Sequence, residues 1–363
     1  MDKYLLKNYA LFGKTPKQSK VGLDRLKAFI KNPILHFILF GAAIWIIADL
    51  AFAKYLPITL LTGLASTFSY AIAAVGFCLL MGYSGLASLG TGGFIGIGTY
   101  SVYYVMNESD LSFEVALVVA IAIAVVIGII VGFISLRIEG IYLVILTLAL
   151  SEILRNLYMV VKDTIKIPSN IEVFGFAVKR QQAIYVVDIF LILIMVLTYN
   201  IINSPTGRAM LAMKNSTAAA QAMGISLIKY RLLAFVLCTA YASLSGVMLM
   251  VSIRNAMASH GTSAYALITS LNILAAVIIG GYKSIWGAVL GAYIMYGMQS
   301  TLLMEIEFLQ KNPVIITFVS GILVILVVMF YPGGFAQLLV EARTKIKALI
   351  KGAKEAKYGK DLG

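Results

Sequence analysis

The sequence predicts an all-α polytopic membrane protein of about ten transmembrane helices, one of them glycine-rich and broken or re-entrant, with both termini cytoplasmic. Three observations predict it. Hydrophobic residues make up 61% of the 363 positions against 12% charged. Charge-free apolar runs recur at the ~20-residue length that crosses a hydrocarbon core. The basic residues, finally, separate between alternate loops. A single soluble core could hardly absorb so much apolar surface, whereas lipid accepts it on every helix.

In chain order, residues 1–34 form a basic cytoplasmic segment, 35–331 a transmembrane domain, and 332–363 a basic cytoplasmic tail. In the first segment Leu5, Leu6, Leu23, Leu26, Phe29 and Ile30 alternate with eight Lys and Arg. That pattern suits either a helix lying in the membrane interface or a basic disordered tail. The first apolar run starts late and is long enough to anchor, unlike a cleavable signal peptide. Hydropathy places spans at 35–55, 57–81, 85–106, 113–135, 140–160, 184–202, 232–252, 266–282, 284–304 and 313–331.

Orientation follows from the 29 Lys and Arg. With the N-terminus inside, the inner segments hold 21 of them, including Arg137 and Lys283. Outer loops hold seven: Lys54, Lys162, Lys166, Lys179, Arg180, Arg254 and Lys311. Arg155 falls within a span. Glu108, Asp110, Glu114, Asp163, Glu172, Glu305 and Glu307 lie in or beside outer loops. The net charge of +13 sits largely in the two tails beside the membrane, where anionic lipid headgroups are the expected partner rather than nucleic acid.

Several chemistries are excluded. Cys78 and Cys238 lie within spans, which argues against a disulfide framework or a reactive thiol. His36 and His260 are alone in their segments, with no metal-ligand spacing and no neighbouring nucleophile. The nearest approach to a phosphate-binding loop, Gly280-Gly281-Tyr282-Lys283-Ser284, has tyrosine where the glycine before the lysine should stand. No catalytic residues and no cofactor are expected on this chain.

Transport remains. The stretch GYSGLASLGTGGFIGIG, residues 82–98, carries seven glycines. Read as one helix, it aligns Ser84, Ser88, Gly92 and Gly96 on a small-residue stripe that lets another backbone approach closely. A second stripe runs through Gly280, Ser284, Ala288 and Ala292, with Gly287 and Gly291 beside it. Gly90, Gly92 and Gly93 each cost a helix about 1 kcal/mol relative to alanine. Tight packing explains any one of them; their density points to a break that lines an aqueous path or is shielded by protein. Ser88 and Thr91 would then offer hydroxyls, and the freed amides of Gly92 and Gly93 would offer donors, to a passing solute.

Ionisable groups at membrane depth are few. Glu152 and Arg155, three apart in the fifth span, can pair, with Asn156 one turn from Glu152. This patch either lines the path or clasps a partner subunit. Asn272 is a further path candidate, while Asp49 and Asp188, near outer span ends, are expected to reach water. A secondary transporter would share the broken helices but needs a coupling site, and mid-membrane carboxylates reduce to Glu152.

Several separated segments resemble one family. Gly82-Tyr-Ser-Gly85-Leu-Ala-Ser88-Leu89-Gly90, LRIEGIYLVILTLALSEILRNL from Leu136, SPTGRAMLAMKNSTAAAQAMGISLIKYRLLAF from Ser204 and AAVIIGGYKSIWGAVLGA from Ala275 resemble, in that order, the permease subunits of branched-chain amino acid ABC importers of LivM type. The resemblance implies a multi-pass permease of the bacterial inner membrane, paired with an identical or paralogous permease subunit. It implies two ATP-binding cassette subunits that hold ATP and magnesium, and an external solute-binding protein. The chain departs from the family at Leu86, Thr91 and Asn272, where Gln, His and Glu are common. A glycine-rich external motif is replaced by DTIKIPSNIEVFGF from Asp163. These departures leave nucleosides, simple sugars, urea or amides open beside amino acids as the solute.

The long inner segment Ser204 to Lys229 is the expected ATPase-coupling loop. Pro205 and Gly207 end the preceding span, and a helix is expected from Arg208 to Met223. Ala218-Ala219-Ala220 followed by Gly224 matches the EAA-x3-G spacing of ABC permeases, with alanine for glutamate. Arg208 and Lys214 belong to the same loop, which otherwise simply spaces spans six and seven.

Overall fold

The computed structural model describes residues 33–53, 57–135, 140–168, 170–259 and 263–301, with residues 318, 321, 322, 325, 329 and 334 beyond them. The interfacial helix or tail expected over 1–34, apart from Pro33 and Ile34, lies outside the described residues. So do most of the tenth span at 313–331 and of the tail 332–363, as well as His260, Arg137, Lys54, Glu305, Glu307 and Lys311.

The chain runs α1 (Pro33–Phe52), α2 (Ile58–Leu79), α3 (Thr91–Tyr103), α4 (Phe113–Ser135) and α5 (Ile141–Lys162), then α6 (Ala183–Asn203), α7 (Pro205–Asn215) and α8 (Thr217–Ala222). It continues with α9 (Leu227–Ile253), α10 (Leu267–Gly280), α11 (Ile285–Ala292) and α12 (Met298–Thr301). Among the described residues six helical stretches are long and apolar enough to cross a membrane: those of α1, α2, α4, α5, α6 and α9. α10 and α11 fall in the eighth and ninth expected spans but are shorter.

The centre of the bundle is α2 and α9, with 83% and 72% of their apolar windows buried; α1, α4 and α5 sit outside, at 28%, 28% and 22%. The outer helices show why apolar content alone cannot tell core from lipid face. Ile130, Phe133, Ile153 and Val160 are as hydrophobic as any core residue yet exposed, which water would penalise and a hydrocarbon solvent does not.

Glycine sets the closest helix crossings. A β-carbon on Gly98 of α3 would run into the Ser243 carbonyl of α9, and one on Gly246 of α9 into the Ile95 carbonyl of α3. The two backbones touch where both side chains are absent, as small residues allow between membrane helices. Gly280 and Gly287 do the same for α10 and α11, and Gly291 meets the Ala276 carbonyl. The second stripe is thus split by a turn at Gly281–Ser284 and works between two antiparallel helices rather than along one. The first is split as well: Ser84 ends a π-turn, Ser88 is non-helical, and only Gly92 and Gly96 share a helix.

The all-α expectation needs one amendment. After α5 the chain forms β1 (Thr164–Lys166), β2 (Asn170–Val173) and β3 (Phe176–Lys179), and after α9 comes β4 (Asn255–Met257). β1 pairs antiparallel with β4, Ile165 opposite Ala256, which brings the ends of α5 and α9 to one end of the bundle. β2 and β3 form a hairpin turning at Phe174 and Gly175, both at positive φ, the geometry a two-residue hairpin favours. Asp188 also differs from expectation. It is fully buried, its carboxylate facing Trp45 and Gly41, because α1 packs over this part of α6. Asp49 is exposed and accepts a 2.6 Å hydrogen bond from Tyr185.

Gly98→Ala is expected to destabilise the detergent-solubilised protein by ~1–3 kcal/mol, because the added methyl has only backbone to displace. A clear drop in melting temperature is the check.

Candidate functional site

The glycine-rich stretch is a break between two helices. α2 ends in a π-turn, Leu80–Ser84, and Gly85 stops it in the left-handed conformation at φ 75°. Residues 85–90 are non-helical, and α3 begins at Thr91. α3 has 13 residues and continues directly into a second π-turn, Tyr104–Glu108. Its N-terminus packs beside Ser151, the midpoint of the 22-residue α5, so the break opens inside the bundle.

A helix start leaves its first amides without intrahelical partners, and at this depth no solvent can take them. Side-chain hydroxyls take them instead. Leu89 N–H donates to Thr147 Oγ1 at 3.0 Å, and Gly93 N–H donates to Ser151 Oγ at 2.9 Å, both on α5. Gly92 N–H donates to Ser270 Oγ of α10 at 2.9 Å, and Gly90 N–H to Ser88 Oγ at 3.2 Å. Thr147 and Ser151 are one turn apart, so one face of α5 reaches the amides at both ends of this run, Leu89 and Gly93. In this conformation the amides expected to face a solute are held by the protein, because the glycines let α5 and α10 come within reach. β-carbons at Gly92 and Gly93 would stand 3.0 Å from the Tyr265 carbonyl and from Ser151 Cα respectively.

Further along α3 the contacts turn aromatic. Tyr158 OH donates to the Gly93 carbonyl at 2.8 Å, and its ring covers Gly96. It stacks on Tyr100 with centroids 4.5 Å apart, while Tyr265 meets both edge-on and accepts from Thr99. At the far end Lys162 pairs with Glu108 at 3.6 Å and Tyr103 bonds the same carboxylate, tying α3 to α5.

Of the path candidates, Ser88, Thr91, Gly92 and Gly93 fall within six residues and are buried at the break. Glu152 and Asn272 lie on the two helices that stitch it, next to Ser151 and two residues past Ser270, and both are half-buried. The Glu152 carboxylate is engaged: Arg155 Nη1 lies 3.4 Å from it, and Arg155 Nε donates to the Ala258 carbonyl at 3.2 Å. The pair therefore fastens α5 to the segment after β4 of its own chain. Thr147, Ser151, Tyr158, Tyr265 and Ser270 escaped the sequence reading. The hydroxyls of Thr147, Ser151 and Tyr158 along one face of α5 were the available signal.

The coupling candidates gather at the opposite end. The expected helix is two helices, since Ser216, extended at φ −159°, ends α7 and caps α8 by accepting from Ala219 N–H at 3.2 Å. Ser204 and Pro205 start α7, and Gly224, at φ 77°, follows α8. Ala218, Ala219, Arg208 and Gly224 are exposed and Met223 is 82% exposed, whereas Ala220 is buried with Met210 and Met213 against Leu79, Leu80 and Phe235. Lys214 points inward. Its ammonium donates to the Met81 and Gly82 carbonyls at 3.0 and 2.9 Å and lies 4.5 Å from the centre of the Tyr282 ring. Burial, with the like charge of Lys283, pulls its pKa below that of an ordinary lysine. The turn after α10 closes on the same place: Tyr83 OH donates to the Lys283 carbonyl and Cys78 to that of Tyr282.

A bundle of apolar spans around an internally broken helix is the build of a multi-pass membrane permease. Residues 59–328 match the family model described as branched-chain amino acid transport system / permease component, and the chain belongs to that family. It is similar to the high-affinity branched-chain amino acid transport system permease protein LivM of Salmonella typhimurium, 28% identical over 259 residues, and to LivM of Escherichia coli K12, 27% identical over the same length. The match covers 63% of this chain and about 60% of the length of each relative. No solved structure matches it.

Ser151→Ala and Ser270→Ala each leave a buried amide without its acceptor and are expected to cost ~1–3 kcal/mol. Denaturation of the purified protein measures this.

Proposed function

We propose that this permease is the transmembrane subunit of an ATP-driven importer in a bacterial inner membrane. A second permease subunit completes the pathway, two ATP-binding cassette subunits bind ATP and magnesium, and an external binding protein delivers the solute. Branched-chain amino acids are the solute class, as in the names of the LivM relatives. On this reading both chain ends are cytoplasmic, the α7–α8 end of the bundle faces the cytoplasm, and the β-strands face out. The break, with Ser88, Thr91, Gly92, Gly93, Glu152 and Asn272 on the elements around it, is the part of the wall that changes shape.

The observation that carries the proposal is the double character of the α7–α8 segment. Its outer face, Ala218, Ala219 and Met223, is small or apolar and exposed, while Ala220 and Lys214 are packed onto the end of α2 where the break begins. A surface helix with a free apolar face on one side and the moving part on the other suits a docked motor.

Co-expressed with cognate ATPase chains and reconstituted in vesicles, the protein is expected to copurify with them and give ATP-dependent, ionophore-insensitive uptake. Leucine, a nucleoside, ribose and urea form the solute panel. Uptake by the isolated chain that collapses with an ion gradient contradicts the proposal. Deleting residues 215–224 is expected to abolish ATPase binding while membrane insertion persists. Gly92→Leu is expected to abolish uptake with insertion intact.

A further inference from the structure

α2 does not run out into solvent where it stops. Its C-terminal carbonyls carry the negative end of the helix dipole. The Leu80 carbonyl accepts from Leu86 N–H, whereas Met81 and Gly82 offer theirs to a side chain from another helix, Lys214 of α7. The lysine stem passes Gly85, whose missing β-carbon would stand 3.2 Å from Lys214 Cγ. The ammonium then rests on the face of Tyr282, in the turn joining α10 to α11. That turn is locked to α2 on its own account, since a β-carbon on Gly82 would strike the Tyr282 carbonyl. One cation from the α7–α8 segment thus holds the last turn of α2, the first residue of the break and the turn after α10. Among the described residues the like charge that acts on it is Lys283, and the two carbonyls and the ring hold the ammonium against it.

We propose that Lys214 is the positioning residue that passes movement of α7–α8 to the glycine break. This rests on the ATP-driven reading above. If a docked ATPase displaces α7, the ammonium carries the end of α2 and Gly85 with it. Residues 85–90 then move as a consequence, because Gly85 is where the helix yields. Without the ammonium, α7–α8 keeps its apolar seat on Leu79, Leu80 and Phe235 but loses its grip on the carbonyls.

The test is ATP hydrolysed per solute imported by the complete complex in vesicles, with copurification of the ATPase chains as the check on assembly. Lys214→Met keeps the stem and removes the charge, and it is expected to raise that ratio about tenfold while the complex still assembles. Lys214→Arg, which can donate to both carbonyls, is expected to stay within about threefold of the parent. Should Lys214→Met fail to assemble, Tyr282→Leu removes the ring beneath the ammonium and is expected to raise the ratio several-fold. A ratio within about twofold of the parent in Lys214→Met, or in Tyr282→Leu where Lys214→Met does not assemble, overturns the proposal. A parent complex that assembles but imports nothing with ATP overturns instead the functional reading on which it rests.

Discussion

A backbone amide buried in a membrane protein must find an acceptor, and most of this molecule's unusual features answer that one requirement. Interrupting a helix inside the bundle exposes donors that lipid cannot satisfy. Here Thr147, Ser151 and Ser270 supply the acceptors from two other helices. They can do so only if those helices approach closely, which in turn demands hydrogen in place of side chains at Gly92 and Gly93. The glycines, costly to any helix, and the hydroxyls, costly to any apolar interior, compensate for each other. Neither would persist alone.

The two ends of the break are held differently. Beyond Gly93, α3 is fixed along its length by Tyr158, Tyr100 and Tyr265 and tied at its far end through Lys162 and Glu108. Before Leu89 the chain passes Leu86, packed with Leu79, Leu80 and Phe235, and Gly85 beside the stem of Lys214, whose ammonium holds the Met81 and Gly82 carbonyls while Tyr83 bonds the turn after α10. Aromatic packing along α3 on one side and the left-handed bend at Gly85 on the other place compliance at residues 85–90. A short segment between well-packed elements can take two arrangements while the helices around it stay intact.

Much of this was legible in the sequence, for physical reasons. Apolar length gave the positions of α1, α2, α4, α5, α6 and α9, and the density of Gly90, Gly92 and Gly93 pointed to the break, because both are local properties of the chain. Pro205 and Gly207 gave the end of α6 for the same reason. Partners distant in sequence were not legible. Ser151 and Ser270 look like ordinary small polar residues in apolar helices until α5 and α10 are placed beside α3. Asp188 looked like a span-end carboxylate until α1 covered it. The hairpin around Phe174 and Gly175 was not read from the sequence, although Ile171, Val173 and Val178 alternate as strands do. Lys214 was legible as part of the long loop between α6 and α9, but its hold on Met81 and Gly82 could not be read from residues some 130 positions away.

On the proposed function, residues 85–90 are the part of the wall that an external motor moves. Ala87 sits within this segment, half-buried, and the two native cysteines are buried, so a thiol at this position can be followed against little background. The direct measurement is the reaction rate of Ala87→Cys with a polar thiol reagent in the assembled complex, first without nucleotide and then trapped with a non-hydrolysable ATP analogue. The account predicts that the rate changes several-fold between the two states while a cysteine replacing exposed Phe176 on the β-hairpin reacts equally in both. Equal rates at position 87 in both states would contradict it.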